Sequence, residues 1–287
     1  MSNTSFERRR FIKSSAFGLI GITTFGYASG NEIYIGTNNY NNSEESFFYR
    51  YPATNDTFAT GIVGASHGNM DKVKELVTQH PELAGASWDW GFGDWETALG
   101  AASHVGRRDI AELLMSHGAR PDIFTFTMMG MYKSVQEIIE TVPGIQTHGG
   151  PHGITLLQHA KNRLEDKNIS SADAANVNKV ISYLQGLGNA DTKPKSLELT
   201  EDEKKKYVGE YRFGAGDNEV FITDLHRLGF LQIGRKGSSA RKLNKIDENS
   251  FSPAGAPSVK IIFKIKDDKA VSLSIHEPQP LVTATRI

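Results

Sequence analysis

Residues 94–119 constrain the fold of this chain more than any other stretch, because their pattern predicts two short helices separated by a glycine. Asp94 or Thr97 can cap the first helix, and Gly106 ends it. The second helix follows at once and ends at Gly118, a residue that reaches positive φ at little cost. The inward-facing residues at helical spacing are Ala98, Ala101, Ala102, Ile110, Ala111, Leu113 and Leu114. Such a unit cannot bury its own apolar stripe, so neighbouring units must stack on it.

The same stretch resembles an ankyrin repeat, with its helix, glycine turn, second helix and Gly-Ala exit. The resemblance extends over residues 57–190 as about four repeats, of which the third is degenerate. It implies an α-helical ankyrin-repeat solenoid whose β-fingers line a concave binding face.

Residues 191–198 are interpreted as a linker. After it, the spacing of hydrophobic residues changes from the helical period to a period of two residues. Residues 199–287 are therefore expected to form six to eight short antiparallel strands in a closed or nearly closed meander. The alternating segments are 207–213, 219–223, 229–233, 241–246, 259–266, 270–275 and 281–286. The motifs Tyr-Val-Gly-Glu-Tyr at 207–211 and Thr-Ala-Thr-Arg-Ile at 283–287 resemble the β-domain appended to serine β-lactamase-like hydrolases. The predicted fold class is therefore α+β and multidomain, an ankyrin solenoid followed by a small antiparallel β-barrel-like domain.

The first 28 residues resemble a bacterial twin-arginine signal peptide. Arg8-Arg9-Arg10-Phe11-Ile12-Lys13 precedes a moderately apolar run that ends near Ala28. The run is too short to span a bilayer, so no stable membrane insertion of the mature chain is expected. The resemblance implies export to the periplasm in the folded state. Residues 29–56, rich in Asn, Ser and Tyr, are interpreted as a disordered linker.

Composition excludes several classes of function. The net charge is -1 with a pI near 6.8, which argues against nucleic-acid binding. The chain has 0 cysteines, so disulfides, thiolate metal sites and a cysteine nucleophile are excluded. The sequence contains no cofactor-binding motif, so no cofactor is predicted.

All 3 tryptophans lie between residues 88 and 95, where the extended finger would project. Tryptophan suits both protein hot spots and sugar faces, whereas packing of the rings against the helices is the structural alternative. The residues predicted to bind a partner are Trp88, Trp90, Phe92, Asp94, Trp95, Glu96, His104, His148 and His152.

Two further patterns are typical of chemical sites. His148, His152 and His159, with His117, could gather around a metal, but their spacing matches no zinc pattern, and we assign no metal ligand. Residues 64–68, Gly-Ala-Ser-His-Gly, match a nucleophile elbow by letter, but that motif requires a strand-to-helix turn. No catalytic residue is assigned.

The sequence therefore favours an exported binding or scaffold protein that recognises a protein partner through its finger face. A glycan- or cell-wall-binding accessory protein is the first alternative. An unrecognised hydrolase that uses carboxylates or histidines in the groove is the second. Converging titratable groups with shifted pKa values would favour the hydrolase, and exposed rings on a flat face would favour the binding proteins.

Overall fold

The computed structural model describes residues 55–192 and 195–287. The predicted signal peptide and nearly all of the predicted linker lie outside these ranges. The linker's last two residues, Asn55 and Asp56, instead begin the first helix, where the Asn55 side chain accepts a hydrogen bond from the Thr57 backbone N–H. The described residues belong to one compact unit.

The described part contains nine α-helices, of which the first eight follow one another as four helix–turn–helix pairs. The helices are α1 (Asp56–Ala65), α2 (Met70–Gln79), α3 (Ala98–His104), α4 (Arg108–Ser116), α5 (Ile123–Met128), α6 (Tyr132–Thr141), α7 (Leu156–Leu164), α8 (Ser171–Gly186) and α9 (Glu201–Tyr207). Short 3-10 turns lie at Pro81–Gly85, Ile145–Thr147 and Pro151–Gly153. Most of these helices begin at an Asn, Asp, Ser or Thr whose side chain accepts a backbone N–H, namely Asn55, Asn69, Thr97, Asp122, Thr155, Ser170 and Thr200.

The ankyrin-solenoid prediction is wrong as a description of this fold, because the four pairs are not repeats of one unit. Helix lengths range from 6 residues in α5 to 16 in α8. The described residues contain one β-finger, between the first and second pairs. The buried apolar residues also divide into two clusters, one mainly within α1–α4 and one within α5–α8, where a regular stack would bury a continuous core.

The polar segment at residues 162–174 comprises the end of α7, a short turn and the start of α8. Helix α7 continues to Leu164, and α8 already begins at Ser171, because the Ser170 hydroxyl accepts a hydrogen bond from the Asp173 backbone N–H. The segment is polar because one face of each helix end is exposed.

The β-barrel is confirmed. Eight antiparallel strands close in the order β10-β3-β4-β5-β6-β7-β8-β9. The finger strands are β1 (Ser87–Asp89) and β2 (Trp95–Thr97), and the barrel strands are β3 (Gly209–Arg212), β4 (Val220–Leu225), β5 (Leu231–Arg235), β6 (Arg241–Asp247), β7 (Ser250–Pro253), β8 (Lys260–Lys266), β9 (Lys269–Glu277) and β10 (Gln279–Arg286). Inward-facing aromatic residues, including Tyr211, Phe251 and Phe263, pack in the barrel core.

Within the described ranges, no helix is both long and apolar enough to span a bilayer.

Candidate metal centre

The β-finger places one carboxylate inside the molecule. Its two strands pair Trp88 with Glu96 and Asp89 with Trp95, across a turn in which Gly91 has a φ of 107°. Side chains alternate along β2, so Trp95 and Thr97 are exposed and Glu96 between them is buried. A strand of three residues therefore directs the Glu96 carboxylate towards the helices.

Three imidazoles surround that carboxylate. His67 follows the end of α1, His104 is the last residue of α3, and His152 lies in the 3-10 turn before α7. Glu96 Oε1 lies 2.9 Å from His104 Nε2 and 3.4 Å from His152 Nε2, and Glu96 Oε2 lies 3.5 Å from His67 Nε2. One donor atom from each of the four side chains lies within 4.8 Å of the others. We call these four residues the His3Glu cluster.

The most buried pair in the cluster lacks hydrogen bonds. Glu96 Oε1 and His104 Nε2 are inaccessible to solvent, and neither makes a hydrogen bond within the described residues, although they lie within ion-pair distance of each other. Leaving buried polar atoms without a partner is costly. The two atoms lie 2.9 Å apart, so a single cation coordinated by both would satisfy both.

Backbone and carboxylate contacts fix the orientation of two imidazoles. His67 Nδ1 lies 3.1 Å from the Val63 carbonyl oxygen, and His152 Nδ1 lies 2.6 Å from Asp94 Oδ2. A proton held on Nδ1 leaves Nε2 with its lone pair facing the cluster. Imidazoles that bind metal ions usually donate their other N–H in this way.

Asp94 and Trp90 support the cluster from behind. The Asp94 carboxylate is buried and accepts the backbone N–H of His152 at 2.9 Å, and it lies 2.8 Å from Arg241 Nε of strand β6. Trp90 Nε1 donates to Glu96 Oε2 at 2.7 Å. The barrel and the finger thus both contribute to the position of the ligands.

The pKa values of two cluster residues reflect this crowding. Burial alone would raise the pKa of Glu96, but the imidazoles of His104 and His152 outweigh burial and hold it well below its usual range. Burial would lower the pKa of His152, but Asp94 and Glu96 outweigh burial and raise it to about 9. Without another cation, His152 therefore carries a proton at neutral pH.

The cluster is open on one side. The Glu96 and His104 side chains are 0% and 8% exposed, whereas those of His67 and His152 are 33% and 23% exposed. A cation bound here would therefore be reached by solvent past His67 and His152.

The structure brings together only some of the residues singled out by the sequence. Asp94, Glu96, His104 and His152 meet at the cluster, whereas His148 is exposed elsewhere. Trp88 and Trp90 pack against the helical core and Phe92 against the barrel core, which leaves Trp95 as the exposed tryptophan, at 63%.

The histidine grouping considered from sequence is only partly reproduced. His117 is exposed, with Nδ1 2.9 Å from the Leu113 carbonyl oxygen. His159 packs behind His104 with its ring centroid 6.4 Å away, and burial together with the nearby His104 lowers its pKa to about 4. His159 is therefore a neutral core residue outside the cluster.

His67 is the member of the cluster that the sequence did not single out. In the Gly-Ala-Ser-His-Gly motif the residue matching a nucleophile is Ser66, whose hydroxyl is buried and donates to the Ile62 carbonyl oxygen at 2.8 Å. The available signal was positional, because His67 and His104 both lie near the C-terminal end of the first helix of their pair, shortly before a glycine. Stacked pairs bring such positions together.

Comparison with family models, with curated proteins and with solved structures finds no match to this chain.

Proposed function

We propose that the His3Glu cluster binds one divalent first-row transition-metal ion and that this ion is the functional centre of the protein. The observation that carries the proposal is the buried pair of Glu96 Oε1 and His104 Nε2, which lie 2.9 Å apart and make no hydrogen bond within the described residues. The proposal departs from the sequence analysis, which assigned no metal ligand.

The donor set defines the class of ion. Three imidazoles and one carboxylate suit zinc, iron, cobalt or nickel better than magnesium or calcium, which prefer oxygen ligands alone. Metal–ligand bonds of about 2.1 Å place the ligands of a tetrahedral ion about 3.4 Å apart. The donor atoms lie within 4.8 Å of one another, and those of Glu96 and His104 are already 2.9 Å apart, so the wider pairs must contract by up to roughly 1.4 Å to reach that spacing.

A bound ion would act as a Lewis acid at the open side of the cluster. A divalent ion lowers the pKa of a coordinated water and polarises a coordinated oxygen, which is the chemistry of metal-assisted hydrolysis. Converging titratable groups with shifted pKa values favour the hydrolase hypothesis, and Glu96 and His152 are such groups. In this form of the hypothesis, the carboxylates and histidines of the groove are the four residues of the His3Glu cluster.

Titration of the metal-free full chain with Co²⁺, followed by visible absorption, tests the proposal. We expect one Co²⁺ per chain in the wild type. Loss of a ligand in Glu96→Gln or His104→Gln is expected to weaken binding more than the roughly 10–100-fold typical of outer-shell changes. His117→Gln and His148→Gln are the controls and should bind like the wild type, with folding of each variant checked by circular dichroism. Absence of Co²⁺ binding by the wild type, or wild-type affinity in a folded Glu96→Gln variant, would overturn the proposal.

Recognition of a protein partner through the finger is the second candidate, and the exposure of Trp95 at 63% supports it. Trp95→Ala tests it, with Leu228→Ala, which removes an exposed apolar side chain from the barrel, as control. Binding to a periplasmic protein that survives Leu228→Ala and is lost in Trp95→Ala would support the hypothesis, and equal binding by both would contradict it. A change in tryptophan fluorescence with oligosaccharides would favour the glycan alternative instead.

Export by the twin-arginine route remains part of the proposal. That route carries folded proteins, and a metal ion loaded before export would give the chain a reason to use it. Replacing Arg8 and Arg9 with lysine should retain the protein in the cytoplasm, and unchanged appearance in the periplasm would contradict export by this route.

A further inference from the structure

A cavity of about 740 Å³ lies between the β-finger and the barrel and is lined in part by Trp90, which also contacts Glu96 of the His3Glu cluster. It is not the metal site, because its lining includes none of the four cluster residues. Trp90 belongs to the cavity wall and to the support of Glu96, so the two sites are neighbours.

The walls of the cavity are aromatic on both sides. Trp88, Trp90 and Phe92 line it from the finger, and Phe213 and Phe221 line it from the barrel. The Phe213 and Phe221 rings stack at a centroid separation of 4.4 Å, and Phe92 approaches Phe221 at 6.2 Å. Aromatic rings around a half-open volume form a surface that favours a flat apolar ligand over water.

One cation stands at this apolar wall. The Arg235 guanidinium carbon lies 5.7 Å from the Phe213 ring centroid, and Arg235 Nε donates to the Asn218 carbonyl oxygen at 2.9 Å. Within the described residues, the terminal amino groups of Arg235 make neither a hydrogen bond nor an ion pair. They are therefore free to donate to an anionic group of a ligand, in the paired geometry that suits a carboxylate or sulfonate.

Two carboxylates also line the cavity, and each already accepts a hydrogen bond from the protein. Asp89 Oδ1 accepts the Gly91 backbone N–H at 2.8 Å, and Glu277 Oε1 accepts the Ser258 hydroxyl at 3.4 Å. Arg235 is therefore the charged group beside the stacked rings whose terminal amino groups have no protein partner within the described residues.

We propose that this cavity binds a small amphipathic molecule with a flat aromatic body and one anionic group. The aromatic body lies between the rings of the finger and those of the barrel, and the anionic group binds Arg235. Binding of this molecule does not require the metal ion, so it is measured in the presence of a chelator.

Two fluorescent probes with the same aromatic body separate the contributions of the rings and of the charge. The anion 8-anilinonaphthalene-1-sulfonate and the neutral N-phenyl-1-naphthylamine both brighten in apolar sites. We expect both to bind the full chain with energy transfer from tryptophan, because Trp88 and Trp90 line the cavity. Arg235→Gln should weaken the anionic probe by roughly tenfold or more, the usual effect of losing a charged hydrogen bond, and change the neutral probe less than about twofold.

A matched pair of variants locates the binding site. Thr60 lines the cavity from α1, and its hydroxyl donates to the carbonyl oxygen four residues earlier. Thr78 on α2 makes the same kind of hydrogen bond and does not line the cavity. Thr60→Trp should block both probes, and Thr78→Trp should block neither. Binding that survives a folded Thr60→Trp variant would overturn the site, and equal weakening of both probes by Arg235→Gln would overturn the anionic preference.

Discussion

Glu96 owes its position to the alternation of a short strand. Trp95 and Thr97 face solvent, and the residue between them must face inward. Thr97 also caps α3, since its hydroxyl accepts the Gly100 backbone N–H at 2.8 Å. The strand therefore leads directly into the helix that ends with His104, which fixes the separation of these two ligands.

At the residue scale, Asp94 is expected to orient His152 without touching the metal ion. Asp94→Asn should weaken Co²⁺ binding by roughly 10–100-fold, because outer-shell carboxylates orient metal-binding imidazoles and raise their basicity. Asp89→Asn is the control, since the Asp89 side chain accepts only the Gly91 backbone N–H and an amide oxygen can also accept it. Equal Co²⁺ dissociation constants for the two variants in the absorption titration would contradict this role.

The raised pKa of His152 predicts how stability depends on pH in the metal-free protein. A histidine whose pKa rises from 6.5 to about 9 on folding contributes stability that is complete below pH 6.5 and is lost as pH rises through 9. The free energy of unfolding should therefore fall by about 2–3 kcal/mol between pH 6.5 and 9. Glu96 does not contribute to this slope, because its lowered pKa affects stability only under acidic conditions.

Urea unfolding of wild type and His152→Gln with a chelator present measures this effect. The wild type should lose stability across the window, and the variant should show a smaller slope. Parallel slopes for the two proteins would show that His152 is not charged in the folded state.

The sequence indicated Glu96, His104 and Asp94 as neighbours because they lie within one short stretch. His152 was also named, but its contact with Asp94 closes a separation of 58 residues that periodicity does not encode. The missed ligand His67 follows a different helix, and its role depends on how two pairs stack. Local pattern therefore predicted which residues are near in the chain, and packing decided which imidazoles meet.

At the element scale, the glycines that follow helices differ in what they permit. Gly106 has a φ of 76°, and a Cβ there would lie 2.6 Å from the Asn162 carbonyl oxygen of α7. Gly118 has a φ of 94° with nothing within 4 Å of such a Cβ. Gly106 thus allows backbone contact between the second helix pair and helix α7 of the fourth pair, whereas Gly118 only ends a helix.

Alanine at these two positions separates backbone strain from steric overlap. Gly118→Ala should cost about 1 kcal/mol, the usual penalty for a left-handed residue with a side chain. Gly106→Ala should cost about 1–3 kcal/mol more, because the backbone of α7 must move. Urea unfolding of both variants measures the difference, and equal costs would show that the two pairs are not in close contact at Gly106.

The sequence predicted most elements of the barrel and missed one. Strands with one face buried alternate in polarity and are visible as period two when they are long enough. β7 has only four residues, Ser-Phe-Ser-Pro, and its proline argues against a strand, so the sequence did not mark it. In the helical part, the sequence predicted the helix pairs but not their unequal lengths. The pattern at residues 94–119 is clear, and the neighbouring segments do not share it.

At the scale of the whole molecule, the barrel supports the metal site through one polar contact and one close approach. Arg241 of β6 lies 2.8 Å from Asp94, and Gly255 approaches the same carboxylate so closely that a Cβ would lie 2.4 Å from Asp94 Oδ1. No period or motif in the sequence relates these distant residues, so the joint site could not be predicted.

Gly255→Ala tests this support. It should weaken Co²⁺ binding severalfold, because the new methyl group displaces the Asp94 carboxylate that orients His152. Gly229→Ala is a matched control with a φ of 81°, against 86° at Gly255, and with nothing within 4 Å of a Cβ. The control should lower stability by about 1 kcal/mol and leave Co²⁺ affinity unchanged. A Co²⁺ titration that gives equal affinities for both variants would contradict support of the site by the barrel.

X-ray absorption at the metal edge of the Co²⁺-loaded full chain tests the central claim most directly, because it reports the atoms bound to the ion. The account predicts one ion per chain, a first shell of nitrogen and oxygen at about 2.0–2.2 Å, and outer-shell scattering from about three imidazoles, with one imidazole fewer in His104→Gln. A first shell of oxygen without imidazole scattering, or a spectrum unchanged in His104→Gln, would show that the ion binds elsewhere and that the His3Glu cluster is not a metal centre.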